Sequence, residues 1–470
     1  MFKTEKERKI IFLSIYSGDV DRIFVRSGVL DGLVSAGHYV VLLVRGDDGE
    51  QEKIRYYQDS YLREGVVIEF IPLGMNAFEF FAYHLAWNSL PSYSAYVKRK
   101  DLYLKHKKKF RYSLELLAGF LGRFRLWRHF LRSVYYHWPD AYCKDLFDRY
   151  KPDLLFAPNM FSPEDCRLLR YAKKHGITTV TTMKSWDVPT TRGFTRVIAD
   201  RILVFNEINK QQTIDIGDYP EEKIRVMGFP QFDYYVRPEL RVPREDFFKN
   251  IGADPSKPLI LFAIPGDFKL PTINDILIAL DNAIESGKIP RDIQVLARFH
   301  PKYRSPAETL KNLRHFIMDR PGTYFTDKVE LSTDAPMSQT FQWVFTNKDI
   351  VHLVNSLLYS DIVINVESTI TLDANAFNKP VIMIGYDGDQ KLDYWHSVRR
   401  NYDREHFKAV LESGGVAYVQ SHDELINAIL RYLKEPEADK EGRRRLKERL
   451  LYKVDGRSSH RVVQYILEML

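Results

Sequence analysis

The stretch Asp361-Ile-Val-Ile-Asn-Val-Glu-Ser-Thr-Ile-Thr-Leu-Asp-Ala-Asn-Ala-Phe-Asn-Lys-Pro-Val-Ile-Met-Ile-Gly385 predicts a strand, a tight turn, a helix, a second turn and another strand. Its apolar β-branched start indicates a buried strand, and Ser368-Thr369 stand where a helix N-cap is expected. Pro380 stops the helix before the next strand. A helix that begins at the carboxyl edge of a parallel sheet offers free N–H groups to an anion such as a phosphate. The stretch therefore predicts a phosphate site, and Asp373 lies where a carboxylate accepts bonds from ribose hydroxyls.

A second element with the features of a site comes earlier, in Gln294-Val-Leu-Ala-Arg-Phe-His300-Pro301. A buried strand runs directly into His300, and the proline after it restricts the backbone and so aims the imidazole. An imidazolium pairs with a phosphate, and the ring can protonate a leaving phosphate. The alternative is a turn histidine beside a structural proline. The predicted donor-binding residues of this half are Gly266, Arg298, His300, Glu367, Ser368, Thr369 and Asp373.

Both halves of the 470-residue chain alternate strands with helices, and this length favours two domains. The pattern predicts an α/β fold of two doubly wound Rossmann-like domains that face each other across a cleft. The expected domains are residues 1–232, with a basic aromatic helical insertion at about 75–140, and residues 233–452, with a last helix in 453–470 that packs back toward the hinge. Strands are expected at 10–15, 39–44, 66–71, 153–157, 178–182, 201–205, 224–227, 258–264, 293–298, 362–366, 380–384 and 416–419.

Composition excludes several classes of protein. Cys143 and Cys166 are the two cysteines of the sequence, and they show no metal-type spacing, so neither a disulfide framework nor a structural zinc site is expected. The N-terminus mixes acidic and basic residues, and the apolar run after it reads as a first strand rather than a signal peptide. No stretch reaches the roughly 18–20 apolar residues that cross a bilayer. A cytoplasmic protein without a metal or another cofactor is expected.

The net charge of +7 is concentrated in one segment. Between Lys98 and Arg132 twelve Lys or Arg stand against Asp101 and Glu115, a local balance of +10. Aromatic residues are interleaved with these cations, and a series from Leu114 to Arg128 falls at helical spacing. Residues 98–138 therefore predict a helix pair at an anionic membrane surface. The alternatives are nucleic acid, for which no motif is present, and an insertion packed on the first domain with a solvated basic face.

The His-Pro and Ser-Thr elements resemble the His-Pro and Ser-Ser motifs of GT-B transferases with activated phosphate donors. These include bacterial sialyltransferases, Kdo transferases and the CDP-glycerol glycerophosphotransferases of teichoic acid synthesis. In the last group the second motif reads Ser-Ser-x-x-x-Asp, which Ser368-Thr369-Ile-Thr-Leu-Asp373 matches with one Ser-to-Thr change. Val454-Asp-Gly-Arg-Ser-Ser-His-Arg461 resembles their Asp-Gly-x-x-x-x-Arg ending. The resemblance covers most of the second half and implies a GT-B fold whose second domain binds the donor.

The loop Thr182-Met-Lys-Ser-Trp-Asp-Val-Pro-Thr-Thr-Arg-Gly193 follows an apolar strand. It resembles the Ser-Trp-Asp-Asn-Leu-Thr loop of glycosyltransferases from surface-polysaccharide loci. In such a loop Trp186 stacks on a sugar or base, Lys184 and Ser185 contact the sugar or acceptor, and Asp187 acts as general base toward an acceptor hydroxyl. The alternative is a capped turn in which Trp186 packs on the domain edge.

The segment Gly18-Asp-Val-Asp-Arg22 follows the first strand, where GT-B enzymes hold acceptor or base residues. Asp19 is a candidate catalytic residue and Asp21 a candidate acceptor contact, although capping of the next helix, expected from Arg22 to Ala36, is the favoured alternative. The segment lacks the Gly-x-Gly-x-x-Gly pattern, so an NAD site is poorly supported.

The resemblance implies a metal-independent glycosyltransferase of cell-surface glycan synthesis. It would move a sugar from a nucleotide-activated donor to a hydroxyl of a lipid-linked or polysaccharide acceptor, at the cytoplasmic face of the membrane and without nucleic acid. His300 and the helix N-terminus would stabilise the leaving phosphate as a metal does elsewhere. Three alternatives stay open: a CDP-polyol phosphotransferase of the glycerol-phosphate type, an enzyme like the UDP-sugar 2-epimerases, and a non-catalytic scaffold.

Overall fold

The computed structural model describes residues 8–46, 50–72, 74–139, 142–266, 269–301, 307–324 and 343–470. The charged residues 1–7, named above in connection with a signal peptide, lie outside the described residues. The chain forms two compact units. Unit 1 comprises residues 1–231 and 457–470, and unit 2 comprises residues 232–456, so the division falls one residue before the expected domain boundary.

Unit 1 is built on a seven-stranded parallel sheet of order β3-β2-β1-β4-β5-β6-β7. The central strands are buried on both faces because helices cover the sheet, which is why they read as continuous apolar runs in the sequence. The strands are β1 Ile10–Ile15, β2 Tyr39–Arg45, β3 Val66–Ile71, β4 Leu154–Ala157, β5 Thr178–Thr182, β6 Arg201–Val204 and β7 Ile224–Val226.

Helices connect these strands, and four of them, α4 to α7, form the predicted insertion between β3 and β4. They are α1 Gly18–Val20, α2 Val29–Ser35, α3 Gln51–Tyr61, α4 Ala77–Asn88, α5 Tyr93–His106, α6 Lys109–Leu121, α7 Arg125–His137, α8 Lys144–Tyr150, α9 Pro163–Lys174, α10 Val188–Thr191 and α11 Glu207–Asp215, with a π-helical turn at Asp21–Val25 and a 3-10 turn at Glu221–Lys223.

The helix expected from Arg22 to Ala36 is not continuous. A π-helical turn at Asp21–Val25 comes first, and α2 begins only after Gly28, whose φ of 110° lies in the left-handed region. Glycine adopts this conformation without steric cost, so it interrupts the helix although the apolar spacing continues through it. The helical spacing from Leu114 to Arg128 is likewise split, because α6 ends at Leu121 and α7 begins at Arg125.

Unit 2 contains a six-stranded parallel sheet of order β10-β9-β8-β13-β14-β15 and a separate antiparallel pair, β11 and β12. Five strands of the large sheet lie where the sequence indicates strands. The short strand β10 and the β11–β12 pair were not expected. The strands are β8 Leu259–Ala263, β9 Gln294–Arg298, β10 Phe316–Asp319, β11 Thr323–Tyr324, β12 Trp343–Val344, β13 Ile362–Asn365, β14 Val381–Ile384 and β15 Ala417–Val419.

The helices of unit 2 alternate with these strands. They are α12 Arg244–Ile251, α13 Ile273–Glu285, α14 Ala307–Leu310, α15 Asn347–Tyr359, α16 Ile370–Ala376, α17 Glu405–Glu412, α18 His422–Lys434 and α19 Lys440–Leu446, with 3-10 turns at Pro230–Val236, Pro238–Leu240 and Val398–Asn401 and a π-helical turn at Lys447–Leu451.

The last helix, α20 at Ser458–Leu467, belongs to unit 1 and lies against α2. The Arg461 Nε atom donates a hydrogen bond of 2.7 Å to the Met227 carbonyl oxygen, just after β7. Gly228 has a φ of 82°, and a Cβ added there would lie 2.7 Å from the Ser458 Oγ atom. A side chain at position 228 is therefore excluded both by its backbone conformation and by the start of α20.

Candidate functional site

In the large sheet of unit 2, the order in which the chain adds strands reverses between β8 and β13. The chain adds β9 and β10 on one side of β8, and later adds β14 and β15 on the far side of β13. In open parallel sheets, ligands bind outside the carboxyl ends of the strands at such a switch point. Gly266 follows β8, His300 follows β9 and Ser368 follows β13, so three predicted donor-binding residues follow neighbouring strands at this edge.

The turn after β13 has a defined hydrogen-bond pattern. The Ser368 backbone N–H donates to the Asn365 Oδ1 atom at 3.2 Å, and the Ser368 hydroxyl accepts from the Ile370 N–H at 3.4 Å. Thr369 occupies the N-cap position of α16 without a side-chain capping bond. Ser368 and Thr369 are both half-buried, so the predicted helix start is present and its side chains are partly accessible.

Glu367 lies immediately before this turn, and its carboxylate meets two cations. It is buried and has a φ of 46°, a left-handed conformation that is uncommon for a residue other than glycine. The Arg404 Nη1 atom lies 2.8 Å from Glu367 Oε1, and the Lys269 Nζ atom lies 3.8 Å from Oε2. The Glu367 carboxylate lies beside the predicted phosphate site, and its negative charge is compensated by both cations.

Lys269 and Arg404 are functional candidates that sequence reasoning missed. Lys269 belongs to the loop after β8, where its N–H donates to the Gly266 carbonyl oxygen at 2.8 Å. Its Nζ atom also donates to the Glu367 carbonyl oxygen at 3.2 Å, which joins the loops on the two sides of the switch point. A lysine soon after Pro265-Gly266 at a strand end was a usable signal, whereas nothing local marks Arg404.

Asp373 is buried in unit 2, and one of its carboxylate oxygens accepts a hydrogen bond from the Tyr235 hydroxyl. Arg298, at the end of β9, is also buried and forms an ion pair with Asp319 of β10. Burial alone would raise the pKa of Asp319, but Arg298 and His352 outweigh it and lower that pKa to about 2. Both predicted donor-binding residues thus have partners within unit 2.

The loop after β5 in unit 1 is a compact turn around Asp187. The Ser185 hydroxyl donates to Asp187 Oδ1 at 2.5 Å, and the Thr191 hydroxyl donates to Oδ2 at 3.1 Å. Trp186 is buried, and its carbonyl oxygen accepts from Asn209 Nδ2 at 2.8 Å. Trp186 is therefore buried within unit 1, while Lys184, Ser185 and Asp187 are half-buried.

The residues after β1 are half-buried or buried. Ser17 caps α1 through its hydroxyl, and Asp19 is half-buried in the first turn. Asp21, expected as an acceptor contact or a cap, is instead fully buried, forms an ion pair of 3.0 Å with Arg26 Nε, and accepts a hydrogen bond from the Tyr61 hydroxyl. These contacts anchor the π-helical turn.

A further buried carboxylate, Asp165, was not singled out in the sequence. It accepts hydrogen bonds from the Ser14 hydroxyl at 2.5 Å and from the Asn159 N–H at 2.8 Å. Burial raises the pKa of Asp165 to about 7, although these two hydrogen bonds oppose the shift. Ser14 lies in β1 and Asn159 follows β4. Asp165 therefore joins the two strands between which the strand order of the unit 1 sheet reverses.

The insertion exposes an apolar face and buries part of its positive charge. Arg99 donates to carbonyl oxygens of residues 88 and 90, and Arg128 and Arg132 form ion pairs with Asp218, so these three are not surface cations. The exposed apolar side chains of α6, α7 and the turn between them are Phe110, Leu114, Leu116, Leu117, Phe120, Phe124, Leu126, Phe130 and Val134. We call this set the insertion face.

Two features are absent from the described residues. Within them, no three His, Cys, Asp or Glu side chains are grouped so that they could hold a metal ion. No helix in the described ranges has both the length and the apolar character required to cross a membrane.

The sequence model of the family described as CDP-Glycerol:Poly(glycerophosphate) glycerophosphotransferase matches residues 199–468, more than half of the chain. No curated protein sequence matches the chain significantly.

Several solved structures are similar to the chain at 12% sequence identity. The UDP-GlcNAc 2-epimerase from Neisseria meningitidis bound to UDP-GlcNAc gives a TM-score of 0.57 over 97% of this chain and 100% of that chain, at 12% identity. The Methanocaldococcus jannaschii UDP-GlcNAc 2-epimerase in complex with UDP-GlcNAc and UDP gives 0.52 over 98% and 99%, at 12% identity. The wall teichoic acid polymerase TagF gives 0.49 over 98% and 89%, at 12% identity. The epimerase similarities show the fold, and the predicted α/β fold of GT-B type is confirmed.

Proposed function

Because the chain belongs to the CDP-glycerol:poly(glycerophosphate) glycerophosphotransferase family, we propose that it transfers a group from a nucleotide-activated donor to an acceptor hydroxyl in cell-surface glycan synthesis. The observation that carries the proposal is the position of the family match. It includes all of the large sheet of unit 2, whose switch point lies beside Gly266 and Ser368. The acceptor is a lipid-linked intermediate or a polysaccharide.

Unit 2 is assigned to the donor. Ser368 and Thr369 bind a donor phosphate at the start of α16, with Gly266 leaving room for it. His300 stabilises the leaving phosphate as an imidazolium or by protonating it, and this contribution replaces a metal ion. Asp19 and Asp187 of unit 1 stay the candidate bases toward the acceptor hydroxyl.

Transfer of a polyol phosphate from a CDP-linked donor is the reaction that family membership favours. In that reaction the acceptor oxygen attacks the donor's distal phosphorus, the phosphoanhydride bond breaks, and CMP leaves while a base takes the hydroxyl proton. The sugar transfer expected from the loop around Asp187 is the second candidate. There the oxygen attacks the anomeric carbon and the nucleotide phosphate leaves.

Two measurements test the proposal. A thermal-shift screen with CMP, CDP, UDP, GDP and dTDP is expected to show a stabilising nucleotide, because ligand binding to the folded state raises the melting temperature. Product analysis with CDP-glycerol and with UDP-sugars then separates a phosphodiester from a glycosidic product. Turnover of a UDP-sugar without any acceptor would instead indicate epimerisation. If no nucleotide shifts the melting temperature, the proposal is overturned and a scaffold is favoured. Full activity in EDTA is expected.

The insertion face is assigned to an anionic membrane surface, where a lipid-linked acceptor is found. Leu126, Phe130 and Val134 follow one another on one face of α7, and all three are exposed, whereas Arg128 and Arg132 lie on its buried face. Exposed cations flank this face at residues 105 and 107–109 and at Arg111. Apolar insertion and attraction of Lys and Arg to anionic lipids both contribute to interfacial binding.

Vesicle co-sedimentation tests this assignment. The double change Leu126→Gln and Phe130→Gln is expected to weaken binding to phosphatidylglycerol vesicles about tenfold or more, because each buried apolar side chain contributes on the order of 1.5–3 kcal/mol. Leu62→Gln, at another exposed leucine of unit 1, is the matched control. Equal binding by the double variant and this control would contradict a membrane role for the insertion face.

A further inference from the structure

We propose that Lys269 and Arg404 bind the phosphate groups of the donor and that Glu367 is a positioning residue that holds both cations beside Ser368. The inference rests on the proposed function, because it assumes a nucleotide donor at the switch point of unit 2. It assigns phosphate recognition to two residues from separate loops.

The first observation is where the cations come from. Lys269 lies in the loop after β8, and Arg404 precedes α17 in the long connection after β14, so they approach Glu367 from different loops. Their side chains are 27% and 13% exposed, respectively, while that of Glu367 is 5% exposed. The carboxylate is thus covered, and its partners stay partly accessible to a ligand from outside.

The second observation is how firmly Glu367 is held. Its N–H donates to the Tyr402 hydroxyl at 3.2 Å, and that hydroxyl donates to the Ile384 carbonyl oxygen at 2.6 Å. A left-handed conformation of a residue other than glycine is unfavourable, and it persists only where the surroundings fix it. Such strained positions occur at functional sites, where they place side chains in a required geometry.

The third observation is the balance of charge and hydrogen bonds. Two cations surround one carboxylate, so the cluster has a surplus positive charge next to the half-buried Ser368. Arg404 uses Nη1 for Glu367, and its Nε atom is buried with no hydrogen-bond partner among the described residues. A buried unsatisfied donor is costly. A phosphate oxygen, which accepts several charge-assisted bonds, is the ligand chemistry that suits a surplus of N–H donors.

Dissociation constants for CDP and cytidine, with UDP and uridine as a second pair, test the roles of the two cations. Lys269→Met and Arg404→Gln are each expected to weaken diphosphate binding about tenfold or more, which corresponds to about 1.4 kcal/mol, since each removes a charge-assisted hydrogen bond to phosphate. Nucleoside binding should change less than about twofold, because no phosphate is present. Lys257→Met and Arg314→Gln are matched controls, because both residues precede strands of the same sheet and so lie at its opposite edge.

Equal weakening of diphosphate and nucleoside, or no weakening, overturns the assignment of the two cations. If a single variant unfolds because Glu367 loses a partner, the double change Glu367→Gln with Arg404→Gln, which removes both members of that ion pair and keeps the cluster's net charge of +1, is measured instead. If no nucleotide binds the unchanged protein, the proposed function fails as well. Normal binding by the unchanged protein with no effect of the variants refutes the present inference alone.

The positioning role of Glu367 needs a separate readout. Asparagine tolerates a left-handed conformation but is too short to hold both cations, so Glu367→Asn is expected to weaken CDP binding about tenfold without affecting cytidine. Glu367→Gln keeps the length and should retain more of the affinity. Loss of a negative charge by itself would tighten phosphate binding. Unchanged or tighter CDP binding by the Glu367→Asn variant therefore overturns the role.

Discussion

In each unit a buried carboxylate lies at the point where the strand order of the sheet reverses, but the groups that surround the two carboxylates differ. In unit 1, Asp165 bridges β1 and the segment after β4 through Ser14 and Asn159, and among the described residues it forms no ion pair. In unit 2, Glu367 is held between Arg404 and Lys269. Asp165 is surrounded by uncharged hydrogen-bond donors, whereas the cluster around Glu367 carries one more positive charge than negative charge. The same topological position thus contributes to packing in unit 1 and forms the candidate site in unit 2.

The largest expected effect tests whether residues at the switch point of unit 2 take part in catalysis. His300→Ala is expected to reduce transfer about 100-fold or more, because general acid–base catalysis contributes on the order of 10²–10⁴. The melting temperature should stay unchanged, because His300 is only half-buried at a strand end. Turnover is measured on the acceptor identified by product analysis.

His315→Ala is the matched control, because this histidine immediately precedes β10 and lies at the amino edge of the same sheet. Near-normal turnover by the His300→Ala variant would remove the functional distinction between the switch points of unit 1 and unit 2.

The next effect concerns Asp165 and stability. Its folded pKa of about 7 lies above the ordinary value of an aspartate, so its contribution to stability is complete below about pH 4 and is lost as the pH rises through 7. Linkage gives a loss of about 4 kcal/mol across this window. Urea unfolding of the protein and of its Asp165→Asn variant, at pH 4 to 8, measures the difference.

Asparagine retains hydrogen-bonding capacity at position 165 and does not titrate, so the variant should lack this part of the pH dependence. Parallel curves for the two proteins would show that Asp165 is not buried among uncharged donors.

A smaller effect of opposite sign is expected for Asp319, which pairs with a cation in unit 2. Its folded pKa of about 2 is depressed, so its contribution to stability is present above about pH 4 and is lost as the pH falls toward 2. The loss is about 2.5 kcal/mol. The difference in unfolding free energy between the protein and Asp319→Asn, followed from pH 5 to 2, isolates it.

A pH-independent difference between these two proteins would contradict the ion pair of Asp319 with Arg298.

The strands were predictable because parallel strands with two covered faces are continuous apolar runs. The edge strand β10 was not, since its four residues are half-buried or exposed and end in a charged residue. The prediction of one continuous helix from Arg22 to Ala36 was wrong, because apolar spacing does not reveal that Gly28 adopts a left-handed conformation. In the insertion, helical spacing was recognised, but it did not tell that Arg128 and Arg132 lie on the buried face.

The candidate site was predictable only where a strand end marks it. Gly266, His300 and Ser368 follow strands directly, and their positions could be inferred from the chain. Lys269 and Arg404 reach Glu367 across 98 and 37 residues of sequence, so no local pattern joins them. Asp165 resembles an ordinary acidic residue in the first turn of a helix, and its burial depends on Ser14, 151 residues away.

The return of α20 to unit 1 has a consequence for how the protein is made. Unit 2 is encoded as one continuous segment, and it can fold as soon as that segment has left the ribosome. Unit 1 is not complete at that point, because α2 lacks its neighbour until residues 457–470 are synthesised. The half that is translated first is therefore completed last, and during that interval the surface of α2 around Gly32, which Val463 later covers, is open to chaperones.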